Sequence, residues 1–137
     1  MTFSGINYLA VVVAAIAAFV FGGIYYRVFG EAWMKALGIS KKTASKNMSS
    51  TPLIITFIAE LIMAWVLAGL MGHLGAGQVT AMNGVVSGAF VWLGFVVTTL
   101  VVNNAFAMRK PQLSVIDSAH WLVALAIMGA IIGAFGI

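Results

Sequence analysis

Apolar residues form four long runs along this chain, and the stretches between the runs carry most of its polar and charged side chains. The runs cover residues 6–26, 52–72, 79–102 and 113–135. Each has roughly the twenty residues that an α-helix needs to cross the hydrocarbon core of a bilayer. The pattern therefore predicts an all-α polytopic membrane protein, a four-transmembrane-helix bundle in which residues 1–137 form a single integral membrane domain.

The composition agrees with this prediction and excludes all chemistry that depends on cysteine. Hydrophobic residues make up 63% of the 137 residues and charged residues only 7%, far from the proportions of soluble domains. The chain has no cysteine, which excludes disulfides, thiolate catalysis and cysteine-ligated metals. No Lys or Arg precedes the first apolar run, so we expect a first helix that stays in the membrane rather than a cleaved signal peptide.

The basic residues are confined to two of the connections between the runs and to their borders. They are Arg27, Lys35, Lys41, Lys42, Lys46, Arg109 and Lys110. The positive-inside rule places connections 28–50 and 104–112 in the cytoplasm and both termini outside it. Four spans satisfy that topology, and it accounts for the net charge of +4 without any nucleic-acid partner.

The first connection, residues 28–50, is the longest and contains a helical pattern of its own. Phe29, Trp33 and Leu37 share one helical face. The pattern predicts a short amphipathic helix over residues 31–37 that lies in the membrane interface, with these three side chains as its anchor. A loop helix packed on the bundle is the alternative interpretation.

Small residues recur at the four-residue spacing that lets membrane helices approach closely. They form ridges on the first, third and fourth predicted spans: Ala14, Ala18 and Gly22; Gly84 and Gly88; Gly129 and Gly133. We expect these ridges to serve helix packing. For the glycine pairs, packing within the chain is favoured over dimerisation, because this spacing predicts dimers only weakly.

One acid, Glu60, interrupts the second apolar run. A carboxylate facing lipid would cost at least ~2.5 kcal/mol, so Glu60 should face the other helices. Counted from the predicted cytoplasmic ends of their helices, Glu60 lies ~12 Å deep and His120 ~10 Å deep. The other predicted members of this polar cluster lie nearer the same surface: Asp117, Thr99, Asn103 and Tyr26.

Two interpretations of this cluster are open. In the first, Glu60, protonated or hydrogen-bonded, is satisfied by His120, Asn103 or a tyrosine, and the network fixes the register of the helices. In the second, the cluster binds a small molecule, an ion or a proton, with Glu60, His120 and Asp117 as its titratable members. We favour the structural network, because four helices leave little interior for a substrate path.

Metal and cofactor chemistry are not indicated. Glu60, Asp117 and His120 could supply three ligands, but carboxylate-bridged metal sites in helix bundles use more carboxylates in a symmetric arrangement. The sequence contains no nucleophile motif, phosphate-binding loop or zinc-protease motif. We therefore expect no metal, no cofactor and no enzymatic activity.

Several segments resemble one family of small bacterial membrane proteins. They are residues 7–10 (NYLA), residues 29–34 (FGEAWM), residues 92–104 (WLGFVVTTLVVNN) and Trp121 in the last span. This resemblance to the DUF1761 family extends over nearly the whole chain. It implies four transmembrane helices and a bacterial inner membrane. It implies no activity, because the family is one of unknown function.

The predicted function is association through helix–helix contact. The small-residue ridges, the small soluble surface and the lack of catalytic motifs favour an accessory or scaffold subunit in the lipid bilayer. It would act as a homo-oligomer or within a larger membrane-protein complex. The alternative is a homo-oligomeric transporter, or a membrane protein that binds a small ligand or a proton, using the cluster around Glu60 and His120.

Overall fold

The computed structural model describes residues 3–136, and every regular element in that range is helical. Four helices are long and apolar enough to cross a membrane: Tyr8–Leu37, Thr51–Gly72, Ala81–Phe106 and Pro111–Phe135, the first to fourth spans. A helix over Lys41–Asn47 lies between the first two spans. The predicted four-helix architecture, with a short helix between the first and second spans, is confirmed.

The short helix lies later in the chain than the sequence pattern predicted. Residues 31–37, expected to form a separate interfacial helix, continue the first span without a break. Gly30 only weakens a helix, whereas Gly38 ends it by adopting a left-handed conformation with φ of 82°. The side chain of Ser40 then caps the next helix, so the short helix is Lys41–Asn47 and residues 31–37 belong to the first span.

The first span is longer than a bilayer requires. Its 30 residues extend for about 45 Å, whereas the hydrocarbon core is about 30 Å thick. We therefore expect its last turns to lie at the membrane surface. The predicted anchor residues occupy this part of the helix, where Trp33 and Leu37 are half-buried and Phe29 is exposed.

The fourth span is the central helix, because it makes the most extensive contacts with the first and third spans and also packs against the second. It runs antiparallel to the first span, and Tyr25 donates a hydrogen bond to the Ile116 carbonyl at 2.7 Å. The second span also packs against the first, where the rings of Phe19 and Phe57 meet at 5.6 Å. The end of the first span and the beginning of the fourth thus lie at one end of the bundle. We call it the basic end, because the lysines of connections 38–50 and 107–110 lie there.

The interior of the bundle is built largely from alanine. Ala14, Ala15 and Ala18 of the first span have no exposed surface. Opposite them are buried residues of the second and fourth spans: Ala64, Leu67, Met71, Ala124, Leu125 and Met128. Because the alanine side chains are short, the helix backbones approach one another closely.

The third and fourth spans approach so closely that their backbones touch. A Cβ atom added to Gly84 would overlap the carbonyl group of Gly129, and one added to Gly129 would overlap that of Gly84. A Cβ at Gly88 would lie 2.5 Å from the Leu125 carbonyl oxygen. Only glycine leaves room for this contact, so these residues pack helices within the chain.

A π-helical segment, Trp92–Val96, interrupts the third span. Hydroxyls of the next turn support it, since Thr98 and Thr99 donate to carbonyls of this segment at 3.0 and 2.7 Å. On its inner side the indole N–H of Trp92 donates to the Ser118 carbonyl at 2.7 Å. This bond ties the third span to the fourth beyond the glycine contact.

Replacing Gly84 by alanine tests the backbone contact. We expect Gly84→Ala to lower the free energy of unfolding by about 1–3 kcal/mol, because the new methyl group must push the two helices apart. Unfolding of the purified protein in detergent micelles measures this change. The matched control is Gly23→Ala, where the added Cβ meets nothing within 4 Å. The control should lose no stability, and equal stability of the two variants would contradict the contact.

Candidate functional site: an intramembrane polar cluster

Polar side chains gather between the first and fourth spans near the basic end. The hydroxyl of Tyr26 donates to Oδ1 of Asp117 at 2.6 Å, a length typical of a hydroxyl bound to a carboxylate. The indole of Trp33 lies beside the same carboxyl group. Asp117 is half-buried, and the first span thus supplies it with a hydrogen-bond partner, Tyr26.

His120 lies one turn deeper than Asp117 on the same face of the fourth span. It is only 3% exposed and stands among aromatic rings. The centroid distances are 4.6 Å to Trp121, 5.0 Å to Tyr26, 5.5 Å to Tyr25 and 5.8 Å to Phe21, whose ring is nearly parallel to the imidazole. These rings enclose the imidazole and exclude lipid and water from it.

Gly22 makes room for this histidine. A Cβ atom at Gly22 would lie 3.0 Å from Nε2 of His120, so a larger residue would displace the ring. On the other side of the ring, Nδ1 has no hydrogen-bond partner among residues 3–136. A neutral imidazole has one donor and one acceptor nitrogen, and here Nδ1 is buried with its hydrogen-bonding capacity unused.

Glu60 lies deeper in the bundle than His120. Phe57, one turn before Glu60, contacts Phe19, whereas His120 lies beside Gly22, one turn after Phe19. The first and second spans are antiparallel, so Glu60 lies six residues of helix, about 9 Å, farther from the basic end than His120 does.

The carboxyl group of Glu60 is completely enclosed and has no hydrogen-bond partner. The residue is 0% exposed, and both Oε1 and Oε2 are without a partner within the described chain. The hypothesis that Glu60 is satisfied by His120, Asn103 or a tyrosine is therefore wrong. The structure thus holds a buried acid without a hydrogen-bond partner among the described residues.

The other predicted members of the cluster are not all brought together. Thr99 and Asn103 are exposed on the third span, and the Thr99 hydroxyl is occupied by carbonyls of its own helix. The neighbouring Asn104 instead donates to the Ser114 hydroxyl at 3.1 Å across to the fourth span. The site as built therefore consists of Tyr26, Asp117, His120 and, deeper, Glu60.

Sequence reasoning missed the aromatic enclosure. Phe21, Tyr25 and Phe29 follow one another at four-residue spacing, and neighbouring rings of the three lie 5.7 and 4.7 Å apart. That spacing is visible in the sequence and predicts a stripe along one helix face. It does not reveal that the stripe faces His120, because that depends on which helices are neighbours.

The chemistry open to this site is that of protons and small polar ligands. No group of three or more His, Cys, Asp and Glu residues between positions 3 and 136 is arranged to hold a metal ion. What the site does provide is two ionisable side chains, Glu60 and His120, that are enclosed by protein and have free polar atoms.

Four apolar spans around a buried polar site define a multi-pass helical membrane protein. The model of the family described as "Protein of unknown function (DUF1761)" matches residues 9–133, and the chain belongs to this family. Neither a curated protein nor a solved structure matches the chain. All four residues of the site lie inside the matched range.

A double-mutant cycle on Tyr26 and Asp117 tests the hydrogen bond at the outer edge of the site. Tyr26→Phe and Asp117→Asn should each destabilise the protein, and the double variant should lose less than the sum. We expect a coupling energy of about 1 kcal/mol, since bonds to charged groups contribute more than the average bond between membrane helices. Unfolding in mixed micelles measures it. Tyr8→Phe, at an exposed tyrosine, is the control, and additive effects would show that the bond contributes nothing.

Proposed function

We propose that this protein is a proton-binding membrane protein that acts in proton-coupled transport, with Glu60 as its essential group. The single observation that carries the proposal is the state of this side chain, which is 0% exposed with both carboxyl oxygens unpartnered. Ionisable residues inside a membrane protein commonly belong to ion pathways and proton relays.

The physical reason is the cost of an uncompensated charge. Moving an ionised carboxylate into an apolar interior costs several kcal/mol unless a partner cation or hydrogen bonds compensate for it. Glu60 has neither among the described residues, so it needs a proton or a small cation to be stable there. Binding and release of that ligand change the charge of the interior, which is the basis of a transport step.

The order of the ionisable groups supports movement of protons from the basic end inward. Asp117 lies at the edge of the site, His120 one turn deeper, and Glu60 about 9 Å deeper again. No direct hydrogen bond joins His120 to Glu60, so transfer between them requires intervening water molecules, rotation of the side chains, or both. In this proposal the basic end faces the cytoplasm of a bacterial inner membrane, as the positive-inside rule predicts.

Replacing Glu60 by glutamine tests the proposal. Glutamine has nearly the same shape and cannot ionise, so Glu60→Gln should reduce proton flux into liposomes to the level of protein-free vesicles. A pH-sensitive dye inside the vesicles, with an imposed membrane potential, measures the flux. Glu31→Gln is the matched control, because Glu31 is an exposed acid outside the spanning part of the bundle, and it should retain full flux.

Two further measurements separate this proposal from a purely structural role. The infrared carbonyl stretch of a protonated carboxylic acid should be present in the wild type and absent from Glu60→Gln. The free energy of unfolding of Glu60→Gln should stay within about 1 kcal/mol of the wild type. If the variant changes only stability, or if the wild type conducts no protons, Glu60 has no transport function.

A second candidate function, helix association as an accessory subunit or homo-oligomer, is supported by the exposure of the third span. Only 6% of its most apolar stretch is buried, against 28–39% for the other three spans. Its outward residues are large and include Phe90, Leu93, Phe95, Val101 and Val102. A second membrane protein or another copy could cover this face. Under this second proposal, the protein has no catalytic role of its own.

Truncating the outward face of the third span tests association. Native mass spectrometry in mild detergent should show an oligomer or a stoichiometric partner for the wild type. Leu93→Ala with Phe95→Ala should shift the protein to a monomer. Ile54→Ala with Ile58→Ala, on the exposed face of the second span, is the control and should leave the assembly intact. A wild-type monomer without a partner would rule out this second function.

A further inference from the structure

A groove of about 600 Å³ lies at the basic end, between the last turns of the first span and the beginning of the fourth. It is separate from the polar cluster described above. Its apolar lining comes from Ala32 and Ala36 of the first span and from Val115 and Ile116 of the fourth. Lys35 and Lys110 are its charged residues, and its lining contains no acid.

The groove has an apolar part and a positively charged part, and each part suits a different portion of a phospholipid. Its walls are formed by small apolar side chains, which suit a hydrocarbon chain. Lys35 and Lys110 are both exposed, and their two positive charges suit a phosphate group. Basic pockets between transmembrane helices at a membrane surface typically hold lipid head groups.

The position of the groove strengthens this match. Lys110 directly precedes Pro111, the first residue of the fourth span, where the positive end of the helix dipole also favours an anion. Lys35 lies in the part of the first span that we expect to leave the hydrocarbon core. Both lysines therefore lie at the level of lipid head groups, and Val115 and Ile116 lie more than one helical turn deeper along the fourth span.

We propose that this groove binds an anionic phospholipid of the surrounding bilayer. The lipid phosphate lies between Lys35 and Lys110, and one acyl chain runs inward along Ala32, Val115 and Ile116. The site goes beyond the proton-binding function proposed above and does not depend on it. The groove nevertheless adjoins the polar cluster. Ile116 lines the groove, and its backbone carbonyl accepts a hydrogen bond from the hydroxyl of Tyr25, which lies beside His120.

Lipid titration by native mass spectrometry tests the charged half of the site. The full-length protein in detergent is titrated with phosphatidylglycerol and, separately, with phosphatidylcholine of the same acyl chains. The wild type should bind phosphatidylglycerol more tightly. Each lysine near an anionic lipid contributes about a five-fold factor, so Lys35→Gln with Lys110→Gln should weaken binding about 25-fold.

The control for charge is Lys41→Gln with Lys42→Gln. These two lysines lie on the exposed helix Lys41–Asn47, outside the lining of the groove, and their loss removes the same net charge. The control should change the affinity less than about two-fold. If both pairs weaken binding equally, the lipid is attracted by overall charge and the groove is not its site.

The apolar half of the site has a test that leaves the charge unchanged. Ala32→Leu fills the groove at an exposed helix position where leucine is a good helix former, so the protein should fold normally. It should weaken phosphatidylglycerol binding at least about five-fold. Unchanged binding would exclude an acyl chain from the groove. Displacement of the lipid by an equal concentration of glycerol phosphate would also overturn the proposal, since it would show a site for a free phosphate.

Discussion

Direct backbone contact between the third and fourth spans is the constraint on which the other features of this bundle depend. Gly84 against Gly129, and Gly88 against Leu125, leave no side chain between the two helices. The fourth span is thereby held at one height and one rotation, and its opposite face meets the first span. That face carries Asp117 and His120, so the geometry of the polar cluster follows from glycines on the other side of the same helix.

Some polar groups of the interior are hydrogen-bonded, whereas Glu60 is not. Near the basic end, Asp117 and the Tyr25 and Tyr26 hydroxyls are engaged in hydrogen bonds of 2.6–2.7 Å between the first and fourth spans. Deeper in the bundle, Glu60 is enclosed without any partner. A fully satisfied network specifies the arrangement of helices, whereas an unsatisfied acid destabilises it. The contrast is the reason to assign function to Glu60 and a supporting role to the tyrosines.

The sequence predicted the four spans correctly, but it did not predict where the short helix lies or which way the side chains of the third span face. Each of the four apolar runs forms one membrane-spanning helix, because a helix satisfies all the backbone hydrogen bonds of such a run within the bilayer. The helix expected at residues 31–37 instead continues the first span, since amphipathic spacing does not by itself end the helix before it. Thr99 and Asn103 lie at the expected height but point outward, because a π-helical segment just before them rotates the third span.

The sequence by itself determined the class of this protein, the number of its spans, the end at which its basic residues gather and the presence of an acid inside the second span. These features depend on composition and on periodicity along single helices. Only the tertiary structure decided which helices are neighbours. It therefore decided that the fourth span is central, that aromatic rings of the first span enclose His120, and that Glu60 lies about 9 Å from it in height with no partner. Neighbour choice depends on close packing between distant segments, and no pattern within one segment contains that information.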